Sequence, residues 1–406
     1  MEDAQDRTVL SLAGAPDAIE LRHLRAFVAV ADELNFARAA ASLYLSAPAL
    51  SRQIRGLERL VGCDLFRRST HRVELTVAGE ALLDGARRVL AELDEAVSIT
   101  RSVGGELANR MARFWAPSPG AGTELHALRA DYERMHQEFT PPPEIVVRPV
   151  NAGGVPSLLL GAGEERPATV LYLHGGLYVL GSAYGFRPLA GALAVAADSA
   201  VLLPEYRLAP ENPFPAALED AERAYQWVLD QGVPPAEVII AGDSTGAGLA
   251  LSLLLSLRDK GAEQPAGALL CCPAVDLTCA VLADPPPGMA RTTFDYDNMR
   301  MLVDWYLDGH PIDDPLVAPL HADLSGLAPM LIQVGTGDLV LPESRQLAER
   351  AREHGVDVEL ELYPADTHSF QLFWSFLPEA ADALQNAGKF IRRRSTEEHG
   401  RTAARA

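Results

Sequence analysis

Cysteine is scarce, with only Cys63, Cys271, Cys272 and Cys279 among 406 residues. Their spacing forms no metal-ligand set and no evident disulfide framework, because a vicinal pair is too constrained for routine bridging, so a reducing compartment is expected. Long apolar runs are missing as well. The longest, Ala247 to Leu257, is well below membrane-spanning length, and the apolar stretch from Val9 to Ala13 is too short for a signal peptide. These shortages predict a soluble, cytoplasmic protein with no membrane partner. Positive charge is also in short supply: 35 Lys and Arg stand against 55 Asp and Glu, a formal net charge of −20. A surface so acidic does not bind nucleic acid all over. No metal or nucleotide motif occurs, so no cofactor is expected. What the chain does have is apolar material, 48% hydrophobic against 22% charged. That suffices for a sizeable core and excludes wholesale disorder, and the length suits one small domain plus one large.

The scarce positive charge is concentrated in one place. From Leu21 to Arg72 nine arginines face four acids (Asp32, Glu33, Glu58, Asp64), a local balance of +5. Residues 1 to 18 show no periodicity and read as a disordered leader. Phe27, Val28 and Val30 to Leu34 then predict a helix, and Asn35 caps a second through Phe36, Ala39, Ala40 and Leu43. Ser46 caps a third with Pro48 in its first turn, where a missing N–H costs little. In it Leu50, Ile54, Leu57 and Val61 share one face, while Ser51, Arg52, Arg55 and Arg59 point elsewhere. Two short strands, Leu65 to Arg68 and Arg72 to Leu75, then flank a basic tip. From Thr76 the positions Leu83, Ala86, Leu90, Leu93 and Val97 come close to a heptad stripe, the pattern of a helix that pairs between chains.

Pro, Gly and Ala gather around Ser118 to Thr123, which places a linker at 104–123. A helix is expected over Leu125 to Phe139. Beyond it, strands at 168–173, 200–203, 237–241, 267–272, 329–334 and 358–363 alternate with helices at 186–197, 216–231 and 245–257, and a helix closes at 378–393. Alternation of this kind predicts a mostly parallel sheet with helices on both faces. Residues 394–406 read as a disordered tail.

Chemistry concentrates in this second part. Gly242-Asp243-Ser244-Thr245-Gly246 joins an apolar strand to an apolar helix, the context of a nucleophile elbow in which Gly242 and Gly246 leave room for a strained serine. His174-Gly175-Gly176-Leu177 follows another strand. Backbone N–H groups of Gly176, Leu177 and Thr245 are candidates to stabilise an oxyanion, with His174 and Gly175 supporting the loop. A serine needs a base and the base an orienting acid. Asp338 and His368 each follow a strand of the predicted sheet, so both reach its carboxyl edge, in the order Ser, Asp, His. Asp366 is a rival acid on the same loop as the histidine. His310 and His354 sit in bland contexts.

With Tyr206-Arg207-Leu208-Ala209-Pro210-Glu211 and Phe214 to Asp220 added, residues 125–393 resemble the hormone-sensitive-lipase-like carboxylesterases of the α/β-hydrolase fold. The resemblance implies an oxyanion hole at His174 to Leu177, a mainly structural role for Tyr206 to Asp220, and a helical cap drawn from 125–139 and about 284–306. Leu177 departs from the third glycine usual there, which narrows the approach. Residues 19–103 resemble the winged helix-turn-helix and linker helix of LysR-type regulators, in Leu21 to Phe27, Ala39-Ala40, Pro48 to Ile54, Leu57-Glu58, Leu65 to Arg68 and Leu75 to Gly79. Candidate DNA contacts are Ala47, Pro48, Ser51, Arg52 and Arg55 in the groove and Arg67, Arg68 and Arg72 on phosphate. Ala47 replaces the glutamine usual in that family.

The fold expectation is multi-domain: an all-α winged helix-turn-helix (19–75), a linker helix (76–103) that dimerises or assembles further, and an α/β-hydrolase with a cap (124–393). Three functions fit: a DNA-binding regulator whose hydrolase domain binds and cleaves a small ester or lactone, a plain carboxylesterase with a vestigial DNA-binding module, and a regulator with a non-catalytic sensor. The complete Ser, Asp, His set argues against the third and the intact basic helix against the second.

Overall fold

The computed structural model describes residues 19–43, 45–68, 72–90, 93, 105, 110–111, 124–163, 168–278 and 296–403. The chain divides into two compact units, Met1–Ala108 and Asn109–Ala406.

In the first unit, α1 (Leu21–Glu33), α2 (Phe36–Ser42) and α3 (Ala47–Val61) precede the hairpin of β1 (Phe66–Arg68) and β2 (Val73–Leu75) and the helical residues 77–90, α4. The caps are those the sequence implies. Asn35 Oδ1 accepts from the amides of Ala37 and Arg38, and Ser46 Oγ from that of Ala49. Ala26, Phe27, Val30, Ala39, Leu50, Ile54, Leu57 and Phe66 build a core separate from that of the second unit. Glu58, buried on α3, accepts from the amides of Leu65 (3.1 Å) and Phe66 (3.4 Å) and pairs with Arg68 at 2.6 Å, so it anchors the start of the hairpin. The hairpin tip at Ser69 to His71, the leader 1–18 and the heptad position Val97 lie outside the described residues.

The second unit is a sheet of eight strands in the order β10-β9-β8-β7-β5-β6-β4-β3. Six are the expected parallel strands: β5 (Ala168–Leu173), β6 (Ala200–Pro204), β7 (Ile239–Asp243), β8 (Gly267–Cys271), β9 (Met330–Gly335) and, at one edge, β10 (Val358–Tyr363). Every residue of β6, β7, β8 and β9 is buried, the pattern of strands covered on both faces. The helices are α5 (Leu125–His136), α6 (Ala183–Ala197), α7 (Ala216–Asp230), α8 (Thr245–Asp259), α9 (Tyr296–Leu307), α10 (Leu341–Glu353) and α11 (Pro378–Ala403). No described helix is long and apolar enough to cross a membrane.

Three features differ from the sequence reading. First, β3 (Ile145–Ala152) and β4 (Val155–Ala162) form an antiparallel hairpin that extends the sheet past β6. Pro149 and Pro156 disguise it, but Pro149 sits on the outermost strand, where a missing donor is tolerated, and Gly153-Gly154 makes the two-residue turn. Second, 394–403 is helix rather than disordered tail. Arg394 pairs with Asp357 at 2.5 Å and Ser395 Oγ reaches Glu237 O at 3.4 Å, so α11 is fastened beyond Arg393. Third, the hydrolase unit starts at Asn109 rather than 124: Arg110 pairs with Glu138 at 2.8 Å and lies 3.8 Å over the Phe376 ring. Of the expected linker only residues 105, 110 and 111 are described, and the cap residues 284–295 lie outside the described residues.

Candidate active site

Ser244 sits between β7 and α8 with φ +53° and ψ −126°. A side chain with a Cβ resists this conformation, and the neighbours hold it there. The Ser244 amide donates to Cys271 O at 2.9 Å, and its carbonyl accepts from the Ala274 amide at 3.0 Å. The turn is tight enough that a Cβ on Gly242 would lie 2.4 Å from Gly246 O, and one on Gly246 would lie 2.1 Å from Leu173 O. Both glycines are therefore dictated by close approach of backbone to backbone.

The fold brings Asp338 and His368 to this serine. Asp338 follows β9, and its Oδ1 also accepts from the Val340 amide at 3.1 Å. His368 follows β10, with Nδ1 2.9 Å from Asp338 Oδ1 and Nε2 2.8 Å from Ser244 Oγ. A carboxylate only accepts, so Nδ1 carries the proton and the lone pair of Nε2 faces the serine hydroxyl. Burial pulls the histidine pKa down. The charge and hydrogen bond of Asp338, helped by Asp243 and Glu343, outweigh that and hold it above its ordinary 6.5. Asp366, the rival acid, is exposed.

Below the serine lies a layer of buried polar groups. Asp243 accepts from Tyr172 OH at 2.9 Å and the Gly175 amide at 3.0 Å, and burial pushes its carboxyl up to about 6. His174 stacks on Tyr206 at 4.3 Å between ring centroids, its Nδ1 lies 2.8 Å from Gly175 O, and burial lowers its pKa to about 4. It is a neutral support of its own loop. Glu343 accepts from the amides of Val275 (3.0 Å) and Asp276 (3.2 Å), and burial raises its carboxyl to about 7. Burial and then Asp338 push the Cys272 thiol well up, which keeps it protonated. Sequence reasoning missed Glu343 and Cys272, since neither lies in a motif.

The three expected oxyanion donors are not equivalent. The Leu177 amide donates to Thr245 Oγ1 at 2.8 Å, so the third position of the loop is engaged with the elbow itself. Thr245 opens α8, where no preceding turn supplies an acceptor for its N–H. Gly176, with φ +122° and its Cβ position 2.2 Å from Leu180 O, takes a conformation closed to other residues. Tyr206 to Asp220 acts as scaffold: the Arg207 amide and Nε bond Asp220 at 2.7 and 3.0 Å. Among the described residues no group of three or more His, Cys, Asp or Glu is placed to hold a metal ion.

On the first unit, Ala47, Pro48, Arg52 and Arg55 are exposed along α3 and Ser51 is half-buried. Arg52, Arg55 and Arg59 line an open groove of about 830 Å³. Arg67 is exposed on β1, and Arg72 pairs with Glu74 at 2.9 Å. Arg68 is otherwise occupied: it pairs with Glu58 and lies 4.9 Å over the Phe36 ring, a brace for the hairpin.

A serine, histidine and aspartate linked by hydrogen bonds at the carboxyl edge of a parallel sheet define a hydrolase of the α/β class. Residues 170–372 match the model of the alpha/beta hydrolase fold family, and residues 21–80 match that of the bacterial regulatory helix-turn-helix proteins of the lysR family. The chain is 38% identical to an acetyl-hydrolase of Streptomyces hygroscopicus over 66% of its own length and 90% of that protein. It is 34% identical to an esterase of Acinetobacter venetianus, over 65% of its length and 88% of that protein's. Among solved structures, an esterase of the bacterial hormone-sensitive lipase family is 35% identical with TM-score 0.63, over 73% of this chain and 97% of the other. The esterase EstE5, soaked with p-nitrophenyl butyrate, is 36% identical with TM-score 0.63, over 69% and 95%. The chain belongs to the α/β-hydrolase family, in its hormone-sensitive-lipase-like branch, and carries a LysR-family helix-turn-helix ahead of the hydrolase.

Proposed function

We propose that the second unit is a serine carboxylic ester hydrolase with Ser244 as nucleophile, His368 as base and Asp338 as the acid that orients it. The continuous relay from Ser244 Oγ through His368 to Asp338 carries this reading. His368 Nε2 takes the hydroxyl proton as Oγ bonds to the ester carbon, and the carbonyl electron pair moves to oxygen. The amides of Gly176 and Thr245 stabilise that oxyanion, while Leu177 N–H is held by the Thr245 hydroxyl. The oxyanion collapses, the alcohol leaves with the proton from His368, and water repeats the cycle on the acyl-serine. The substrate class is a small ester or lactone, and the names of the relatives, an acetyl-hydrolase and an esterase, support the ester.

The first unit reads DNA, with α3 in the major groove through Ser51, Arg52 and Arg55 and with Arg67 and Arg72 toward phosphate. The chain acts as a homodimer or higher homo-oligomer in which occupation of the hydrolase site adjusts DNA binding. The deciding experiment is hydrolysis of p-nitrophenyl butyrate by the full chain and by Ser244→Ala. Turnover lost in the variant supports the enzyme, and equal rates refute it.

A further inference from the structure

The loop from Gly176 to Gly181 holds a shape it would not take alone. Leu177 and Tyr178 are consecutive residues with φ +55° and +60°, flanked by Gly176 at +122° and Gly181 at +89°. A Cβ disfavours that region, so two such residues in succession persist only where the surroundings over-determine them. Two side chains outside the loop do so. Tyr306 on α9 stacks against Tyr178, ring centroids 3.9 Å apart and planes 11° from parallel. Arg129 on α5 serves three acceptors at once. Its Nε donates to Val179 O at 2.9 Å, Nη2 donates to Ala209 O at 2.8 Å, and Nη1 and Nη2 together grip Glu211 at 2.8 and 2.7 Å.

The two-pronged grip on Glu211 fixes the guanidinium plane, and that plane aims Nε at the Val179 carbonyl. The Ala209 amide in turn donates to Tyr178 O at 2.9 Å, so Arg129 fastens the loop directly and through the segment beside it. An arginine whose side chain is 28% exposed and which bonds two main-chain carbonyls is more than a surface ion pair.

We propose that Arg129 is a positioning residue of the ester-hydrolysing site: by fixing the Val179 carbonyl it keeps the oxyanion loop, and with it the Gly176 amide, in register with Ser244. The inference rests on the reading of Ser244 as nucleophile and of that loop as the oxyanion hole. Arg129 acts on the reaction through the loop, and so bears on the transition state more than on substrate affinity.

The test uses full-length wild type, Arg129→Ala and Arg129→Lys with p-nitrophenyl butyrate. An organophosphate titrates competent Ser244, and a trifluoromethyl ketone serves as the tetrahedral mimic. Arg129→Ala is expected to lower kcat per titrated site by about 10- to 100-fold with KM little changed, and to weaken the ketone by a similar factor. Arg129→Lys should recover part of the loss, since an ammonium reaches one carbonyl but cannot bridge three acceptors. The proposal is overturned if kcat per titrated site stays within about twofold of wild type. It is equally overturned if only KM rises, or if the whole loss equals the drop in titratable sites. Failure of the underlying site reading looks different: wild type would then resist titration, or Ser244→Ala would still turn over.

Discussion

The backbone amide of Leu177 donates to the hydroxyl of Thr245 at 2.8 Å, joining the loop after β5 to the first residue of α8. Both residues are buried. Thr245→Val keeps the shape and deletes the acceptor, so a buried N–H loses its partner at a cost of about 1–3 kcal/mol. Urea unfolding should show that loss for valine and little change for Thr245→Ser. Equal midpoints for all three proteins would mean the amide has another acceptor.

With His368 as the proposed base, its pKa should set the acid side of the rate profile. The base must be neutral to accept the serine proton, and the net shift is upward from 6.5. Hydrolysis should therefore fall as pH drops through a value above 6.5, with unit slope in kcat/KM. Asp338→Asn removes the charge that raises the pKa, so its inflection should move to lower pH while the rate falls by about 10⁴, the loss typical when such a base is held in the wrong tautomer. A profile flat from pH 5 to 8 would exclude a histidine base.

Glu343 gives the opposite sign for stability. Its carboxyl is raised from 4.5 to about 7 by burial, so the folded chain binds a proton there that the unfolded chain releases. Stability is thereby lost as pH climbs from 4.5 to 7, by about 3 kcal/mol in all. Glu343→Gln keeps an acceptor for the amides of Val275 and Asp276 and removes the titration. The variant should gain on wild type between pH 5 and pH 8 in denaturant midpoint, and parallel curves would show that Glu343 does not titrate in that range.

The arginines of α3 supply the prediction for DNA. Arg52→Ala should weaken binding to DNA flanking the protein's own gene, and each phosphate contact removed should lower the salt slope by about one. Arg68→Ala should act differently. It releases Glu58 and the hairpin, so a drop in the melting temperature of the first unit should accompany any loss of binding. Binding that ignores salt would favour the plain esterase reading.

Much of this was legible in the sequence because its cues were local. Asn35 and Ser46 announce two helix starts, the apolar run before Gly242 announces a buried strand, and Ser, Asp and His each follow a strand. The β3–β4 hairpin was hidden because proline looks like a breaker until its strand is known to be outermost. The helix over 394–403 was hidden because its anchors, Asp357 and Glu237, are distant in sequence. The engagement of Leu177 with Thr245, the duty of Arg68 and the burial of Glu343 depend on contacts between segments that no spacing rule connects.

The helix that bears Arg129 has a consequence for synthesis. Its partners Val179, Ala209 and Glu211 lie 50, 80 and 82 residues downstream, so when α5 leaves the ribosome none of them yet exists. The winged module, with its own core, can settle first. This helix is thus translated before the segments it rests on, and for that interval a nascent chain exposes the apolar side of α5 to whatever chaperone is near.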